Sequence, residues 1–161
     1  GMYFNQHLWA EAYDKNKLKF TSLQSELDNF VLFNYGKYKE ANYLHSLQNA
    51  KYMIVLDAHE SQGFAIEEAM SCNVPLLVWN VKSMNQETGQ NYADIKATSI
   101  PYWDERCGEF FCEKEHLEST FDKFISKLET YKPRDYILEN LGVEKCSERF
   151  LELIEKAKEN N

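Results

Sequence analysis

The run Tyr52-Met53-Ile54-Val55-Leu56 leads through Asp57-Ala58-His59-Glu60-Ser61-Gln62-Gly63 into Phe64-Ala65-Ile66-Glu67-Glu68-Ala69-Met70-Ser71-Cys72. Asn73-Val74-Pro75-Leu76-Leu77-Val78-Trp79 then follows. The first run is short, continuous and apolar, which suits a strand buried on both faces. Phe64 to Cys72 is helical, with Phe64, Ile66, Ala69 and Met70 as its apolar set. Val74 to Trp79 is a second buried strand.

Outward from this centre, the same alternation continues. Gln6 to Asp14 reads as a short helix, Lys17 to Leu23 as a strand, and Phe30 to Tyr35 as a strand ended by Gly36. Glu40 to Asn49 is a helix, with Leu44, Leu47 and Ala50 at helical spacing. Downstream, Glu109 to Cys112 is a shorter strand. Glu115 to Tyr131 is an amphipathic helix with Leu117, Phe121, Phe124, Ile125 and Leu128 on one face. A last helix runs from about Val143 to Lys158, with Cys146, Phe150, Leu153 and Ile154 expected to point inward. Continuous apolar strands alternating with helices predict an α/β fold. We expect a doubly wound, Rossmann-like parallel sheet with helices on both faces. Ligands in such folds bind outside the carboxyl ends of the strands, so the loops after Tyr35, Leu56 and Trp79 are where a site is expected.

Composition narrows the function classes. The 161 residues make about one domain, and acidic residues outnumber basic ones by 26 to 18. The net charge of −8 argues against binding nucleic acid or an anionic membrane. No run is long and apolar enough for a transmembrane segment, and the first residues show no signal-peptide pattern. Gly1 before Met2 reads as a tag remnant, giving one domain over residues 2–161. Cys72, Cys107, Cys112 and Cys146 show no zinc spacing, and His7, His45, His59 and His116 are scattered, so no metal site is implied. Reduced thiols and a cytoplasmic location are the expectation.

The turn after Leu56 carries the chemistry. A strand feeding a glycine-containing turn into a helix N-terminus exposes backbone N–H groups under a favourable helix dipole. Gly63 removes the side chain that would block close approach. On these residues alone, phosphate is the default guest, and a plain structural turn is the competing reading.

The string from His59 to Pro75 resembles the donor-site motif of retaining glycosyltransferases of the GT-B fold, the glycosyl transferase group 1 type. Seven residues separate Glu60 from Glu68, Gly63-Phe64 follows the first glutamate, and Glu68-Ala69-Met70 runs on to Val74-Pro75. The resemblance extends over about residues 35–158. It takes in Tyr43 to Leu56 before the motif, and Cys107-Gly108-Glu109-Phe110-Phe111 with its following helix after it. Asn140 to Ile154 resembles the family's closing helix.

The resemblance implies half of a GT-B fold: a nucleotide-sugar donor domain transferring a hexose from a nucleotide diphosphate, without a cofactor or metal. Glu68 would accept hydrogen bonds from the ribose hydroxyls. Glu60, the implied catalytic residue, would lie beside the transferred sugar, with His59 next to it. The backbone at Gly63, Phe64 and Ala65 would receive the pyrophosphate. The turn Tyr35-Gly36-Lys37-Tyr38 would line the base pocket. The sequence departs from the family pattern in three places. No Arg-x-x-x-x-Lys occurs in Met2 to Asn34, Asn73 replaces a usual glycine, and Asn80-Val81-Lys82-Ser83 replaces a Gly-Gly. A GT-B enzyme works between two domains, so an acceptor-binding partner chain or self-association would complete the site. The alternatives are a non-catalytic binding or scaffold module with the same fold, and an unrelated flavodoxin-like or receiver-like domain.

Overall fold

The computed structural model describes residues 31, 33, 38–57, 59–86 and 93–159. The expected helix over 6–14, the strand over 17–23 and, apart from Val31 and Phe33, the strand over 30–35 lie outside these residues, as do Gly36 and Lys37.

The chain forms a three-layer α/β unit around a parallel sheet. Helix α1 (Glu40–Asn49) leads into β1 (Met53–Leu56), α2 (Phe64–Ser71) and β2 (Leu76–Trp79). Strand β3 (Gly108–Phe111), α3 (Leu117–Ser126), α4 (Pro133–Asn140) and α5 (Val143–Glu159) follow. The sheet order is β1-β2-β3, with all neighbours parallel. In register, Met53 stands beside Leu76 and Leu76 beside Gly108.

Alternation along the strands sends side chains to two separate cores. Val55, Leu76 and Val78 pack with Tyr43 and Leu47 of α1, Ile66, Ala69 and Met70 of α2, and Tyr136 of α4. Leu77 and Phe111 point the other way and pack with Phe121 and Phe124 of α3 and with Tyr131. Central strand β2 is buried on both faces, which is why it reads as an unbroken apolar run. Each of its large side chains contributes about 1.5–3 kcal/mol by leaving water.

Several expectations need correction. On α1 the buried pair is Tyr43 and Leu47, while Leu44 is 47% exposed and Ala50 lies past the helix end. Tyrosine and leucine at a four-residue spacing form the inward stripe, and the Tyr43 hydroxyl donates to the Ala65 carbonyl (2.8 Å), tying α1 to α2. Phe64 is 71% exposed because it opens α2 rather than lying on its packed stripe. The helix expected over 115–131 is interrupted: Lys127 leaves helical geometry (φ −111°, ψ 4°), and a 3-10 turn covers Leu128–Thr130. Helix α5 has the expected length but no buried residue; Cys146 is exposed, and Phe150 and Leu153 are 62% and 64% exposed. It is tied to the end of α4 by Arg149 Nη1 donating to the Asn140 carbonyl (2.8 Å), and of the side chains expected to point inward only Ile154 is half-buried. All four cysteines are free thiols, and burial pushes Cys107 up to about 11. Among the described residues no helix is long and apolar enough to cross a membrane.

Two backbone positions fix the β–α–β path. Asn73 turns the chain from α2 towards β2 with φ 60°, a left-handed conformation that asparagine tolerates well. Gly108 has φ 141°, and a Cβ there would overlap the Leu76 carbonyl oxygen. Backbone of the central strand cannot move aside without breaking the ladder. Gly108→Ala is therefore expected to abolish cooperative folding, read as loss of the thermal transition in circular dichroism. An alanine variant melting within a few degrees of the parent would contradict the close approach of β3 to β2.

Candidate functional site

The carboxyl ends of the three strands carry Asp57, Asn80 and Cys112, and the loops beyond them build a surface cleft. Its volume is ≈ 410 Å³, and it is lined from the first two of these loops, by His59 and Glu60 after β1 and by Met84, Lys96, Ala97 and Thr98 after β2. One wall is the turn between β1 and α2. The other comes from the long connection of residues 80–107, where among the described residues the only helical turn is Met84–Gln86. Long connections of this kind in compact domains are commonly functional.

The two walls are joined through backbone. The Glu60 N–H donates to the Thr98 carbonyl (2.9 Å). Within the second wall, Ser83 and Lys96 pair in an isolated antiparallel bridge, and the Met84 N–H donates to the Ile95 carbonyl (2.9 Å). Ser99 is fully buried behind the wall.

Gly63 starts α2 in the left-handed conformation (φ 80°, ψ 39°). A Cβ there would meet Pro101 at an ordinary 3.7 Å, so the backbone angle rather than space calls for glycine. The first bond of this helix runs from the Glu67 N–H to the Gly63 carbonyl (2.9 Å). The amides of Phe64, Ala65 and Ile66 therefore have no intrahelical acceptor, the arrangement that makes a helix N-terminus receptive to anions.

The structure divides the expected residues between two places. His59 and Glu60 are half-buried and line the cleft. Gly63 is buried, Phe64 exposed and Ala65 half-buried at the α2 N-terminus. Glu68 is exposed farther along α2, outside the cleft lining, and its charge acts on the Tyr43 hydroxyl. That hydroxyl is held protonated well beyond the usual tyrosine range, by burial first and then by Glu68 and Tyr38. Tyr38 is half-buried with its ring 5.4 Å from that of Tyr43 and 5.5 Å from that of Phe33, an aromatic cluster beside α2. Gly36 and Lys37 lie outside the described residues. Trp79, Tyr102 and Trp103, which could stack on a ligand, are half-buried and packed against the two cores, and the Trp79 Nε1–H donates to the Cys112 carbonyl (3.0 Å). Asp104 and Arg106 form a bidentate pair that keeps the Asp104 carboxyl below its usual range, with the guanidinium 5.7 Å over the Tyr136 ring.

Three features of the site went unread in the sequence. Lys96 lines the cleft and forms no ion pair among the described residues, yet nothing local distinguishes it from a surface lysine. Thr98 and Asn80 are joined within the second wall by a side-chain hydrogen bond, which leaves no periodic trace. Glu67, which reads as an ordinary first-turn acid, is half-buried, and its Oε1 is enclosed without a hydrogen-bond partner. Burial raises its carboxyl above the ordinary 4.5, opposed by a hydrogen bond from Gln62 and reinforced by the Glu60 charge. Among the described residues no three His, Cys, Asp or Glu side chains converge as metal ligands.

The Glu67 environment has a consequence for stability. Because the folded state holds this proton more tightly than the unfolded chain, stability falls as pH rises from 4.5 through the raised folded value. Above that window the buried charge is a net cost. Glu67→Gln, which removes the charge and keeps the side-chain shape, is expected to melt at higher temperature than the parent at about pH 7, with the gain shrinking towards about pH 4. A variant no more stable than the parent at neutral pH would show that this carboxylate is compensated.

No protein-family model, no curated protein and no solved structure matches this chain, so a functional reading rests on the residues and geometry of the cleft.

Proposed function

We propose that the chain is the donor-binding part of a glycosyltransferase, taking a nucleotide-diphosphate sugar and passing the hexose to an acceptor held by another surface. The observation that carries this reading is the left-handed Gly63 at the start of α2. It presents the α2 amides beside Glu60 at the carboxyl edge of a parallel sheet. The pyrophosphate would lie on the amides of Phe64 and Ala65, stabilised by the helix dipole. Glu60 and His59 would face the sugar in the cleft. Glu68 would accept from the ribose hydroxyls on the side of Tyr38 and Tyr43, where the base would lie. In this reading the sheet is half of a doubly wound GT-B fold, and the chain works in the cytoplasm.

Transfer needs the acceptor about 3–3.5 Å from the reacting carbon, in a site closed to water. Among the described residues the cleft is open to one side, so a partner chain or second copy would cover it. The rival, a binding module without turnover, is favoured by one observation: among the described residues Lys96 is the single Lys or Arg lining the cleft, which it shares with the acid Glu60.

A thermal-shift series with uridine, guanosine and adenosine diphosphates, without metal, tests the reading. One of them is expected to stabilise the protein, and Glu68→Ala should weaken that ligand about tenfold or more, the loss of a charge-assisted bond of roughly 1.5–3 kcal/mol. Absence of any nucleotide effect would contradict donor binding, and equal binding by the variant would remove Glu68 from the site.

A further inference from the structure

We infer that Asn80 is a positioning residue of the cleft: its side-chain carbonyl anchors the loop of residues 98–100 to the sheet and thereby sets the backbone of Glu60. Its consequence for ligand binding rests on the donor-site reading above; its structural part does not.

Asn80 follows the last residue of β2, and its own N–H donates to the Phe111 carbonyl (2.8 Å), prolonging the β2–β3 ladder by one bond. Its backbone is therefore part of the rigid sheet. Its Oδ1 accepts twice, from the Thr98 hydroxyl (2.8 Å) and from the Ser99 N–H (2.9 Å). An amide oxygen has two lone pairs, so this acceptor is fully used. The Thr98 hydroxyl oxygen in turn accepts the Ile100 N–H (3.1 Å). Three successive residues of the loop are thus ordered, two directly and one in relay, by one side-chain oxygen.

Ser99 shows that the loop is not fixed by its own side chain. It is fully buried, and its hydroxyl oxygen has no hydrogen-bond partner. With its backbone N–H on Asn80, that residue pays for its burial through Asn80 alone among side chains. The Thr98 carbonyl, on the opposite side of the same peptide unit, receives the Glu60 N–H (2.9 Å). The sequence Phe111–Asn80–Thr98–Glu60 is a continuous hydrogen-bonded path from the sheet to the acid in the cleft. Without the acceptor on Asn80, two donors would be left in a part-buried setting, and the loop would shift to find others. Glu60 would then lose its fixed distance from whatever lies in the cleft.

Glu60 is assigned to the sugar, not to the nucleotide, so this chain of bonds predicts a split in affinity. The test compares the parent with Asn80→Ala, Asn80→Asp and Thr98→Val, using amide hydrogen exchange and calorimetric binding of a nucleoside diphosphate and its hexose derivative. Asn80→Ala is expected to speed exchange at the Glu60 and Ser99 amides while Leu77 and Val78 of the central strand keep parent protection. Asn80→Asp, which retains the acceptor oxygen, should restore protection at both amides. Thr98→Val, which removes one of the two donors to Asn80, should speed exchange at Ile100 and at Glu60, and it serves in place of Asn80→Ala should that variant not fold, parent-like protection of Glu60 then overturning the role. In binding, Asn80→Ala should weaken the nucleotide sugar about tenfold, the scale of one lost hydrogen-bond set, and leave the nucleoside diphosphate within about twofold. Parent-like protection of Glu60 in Asn80→Ala overturns the positioning role. Equal weakening of both ligands overturns it too, since a general loss of structure would act on both. If the parent protein binds neither ligand, the donor-site reading fails, and the exchange comparison alone decides whether Asn80 sets Glu60.

Discussion

Strand β2 is enclosed on both faces and paired on both edges, and the remainder of the fold is placed relative to it. Leu76 and Val78 face one core and Leu77 the other, all at zero exposure. β3 approaches so closely that Gly108 leaves no room for a Cβ against the Leu76 carbonyl. A strand held from four sides has little freedom to tilt or slide, because close-packed interiors transmit strain instead of absorbing it. What emerges from its carboxyl end therefore starts from a fixed position. Asn80 is the first residue to emerge, and its side chain carries that fixity outward to the loop bearing Thr98.

The cleft combines rigid support with unfavourable local electrostatics. Gly63 adopts left-handed geometry, Glu67 holds a carboxylate oxygen enclosed without a partner, and Glu60 adds like charge nearby. Each costs stability, and each lies at the same turn. Proteins tend to keep such departures where function requires them, and compensate elsewhere through the packed core. The distribution here follows that pattern, with the two cores well packed and the costs gathered at the carboxyl edge of the sheet.

The elements around Tyr52 to Trp79 were legible because buried parallel strands and a helix with Ile66, Ala69 and Met70 inward have distinct patterns. The fold class followed from them. Placement of the candidate cleft was half legible: the rule that ligands bind beyond the strand ends pointed to the loops after Leu56 and Trp79, and both line the cleft. The contents of the second wall were not, because Asn80 and Thr98 meet through a side-chain bond across eighteen residues of irregular chain, and Lys96 is placed by a backbone bridge to Ser83. On α1, Tyr43 and Leu44 are adjacent and both fit a helical period with Leu47; only the Tyr43 hydroxyl bond to Ala65 decides between them. On α5, periodicity identified an apolar stripe but carries no information on what covers it. Glu67 and Glu68 differ by one position and 100° around a helix, so composition gives them equal claims while the structure directs one towards Glu60 and the other towards Tyr43.

The most direct measurement is a backbone amide chemical-shift map of the protein titrated with a nucleotide sugar. Saturable shifts should concentrate at Glu60, Gly63, Phe64 and Ala65 and across the cleft at Lys96 to Ser99. Shifts confined to the opposite edge of the sheet, around Met53, Leu76 and Gly108, or no saturable shift with any nucleotide sugar, would contradict a donor site at the carboxyl end of β1 and β2.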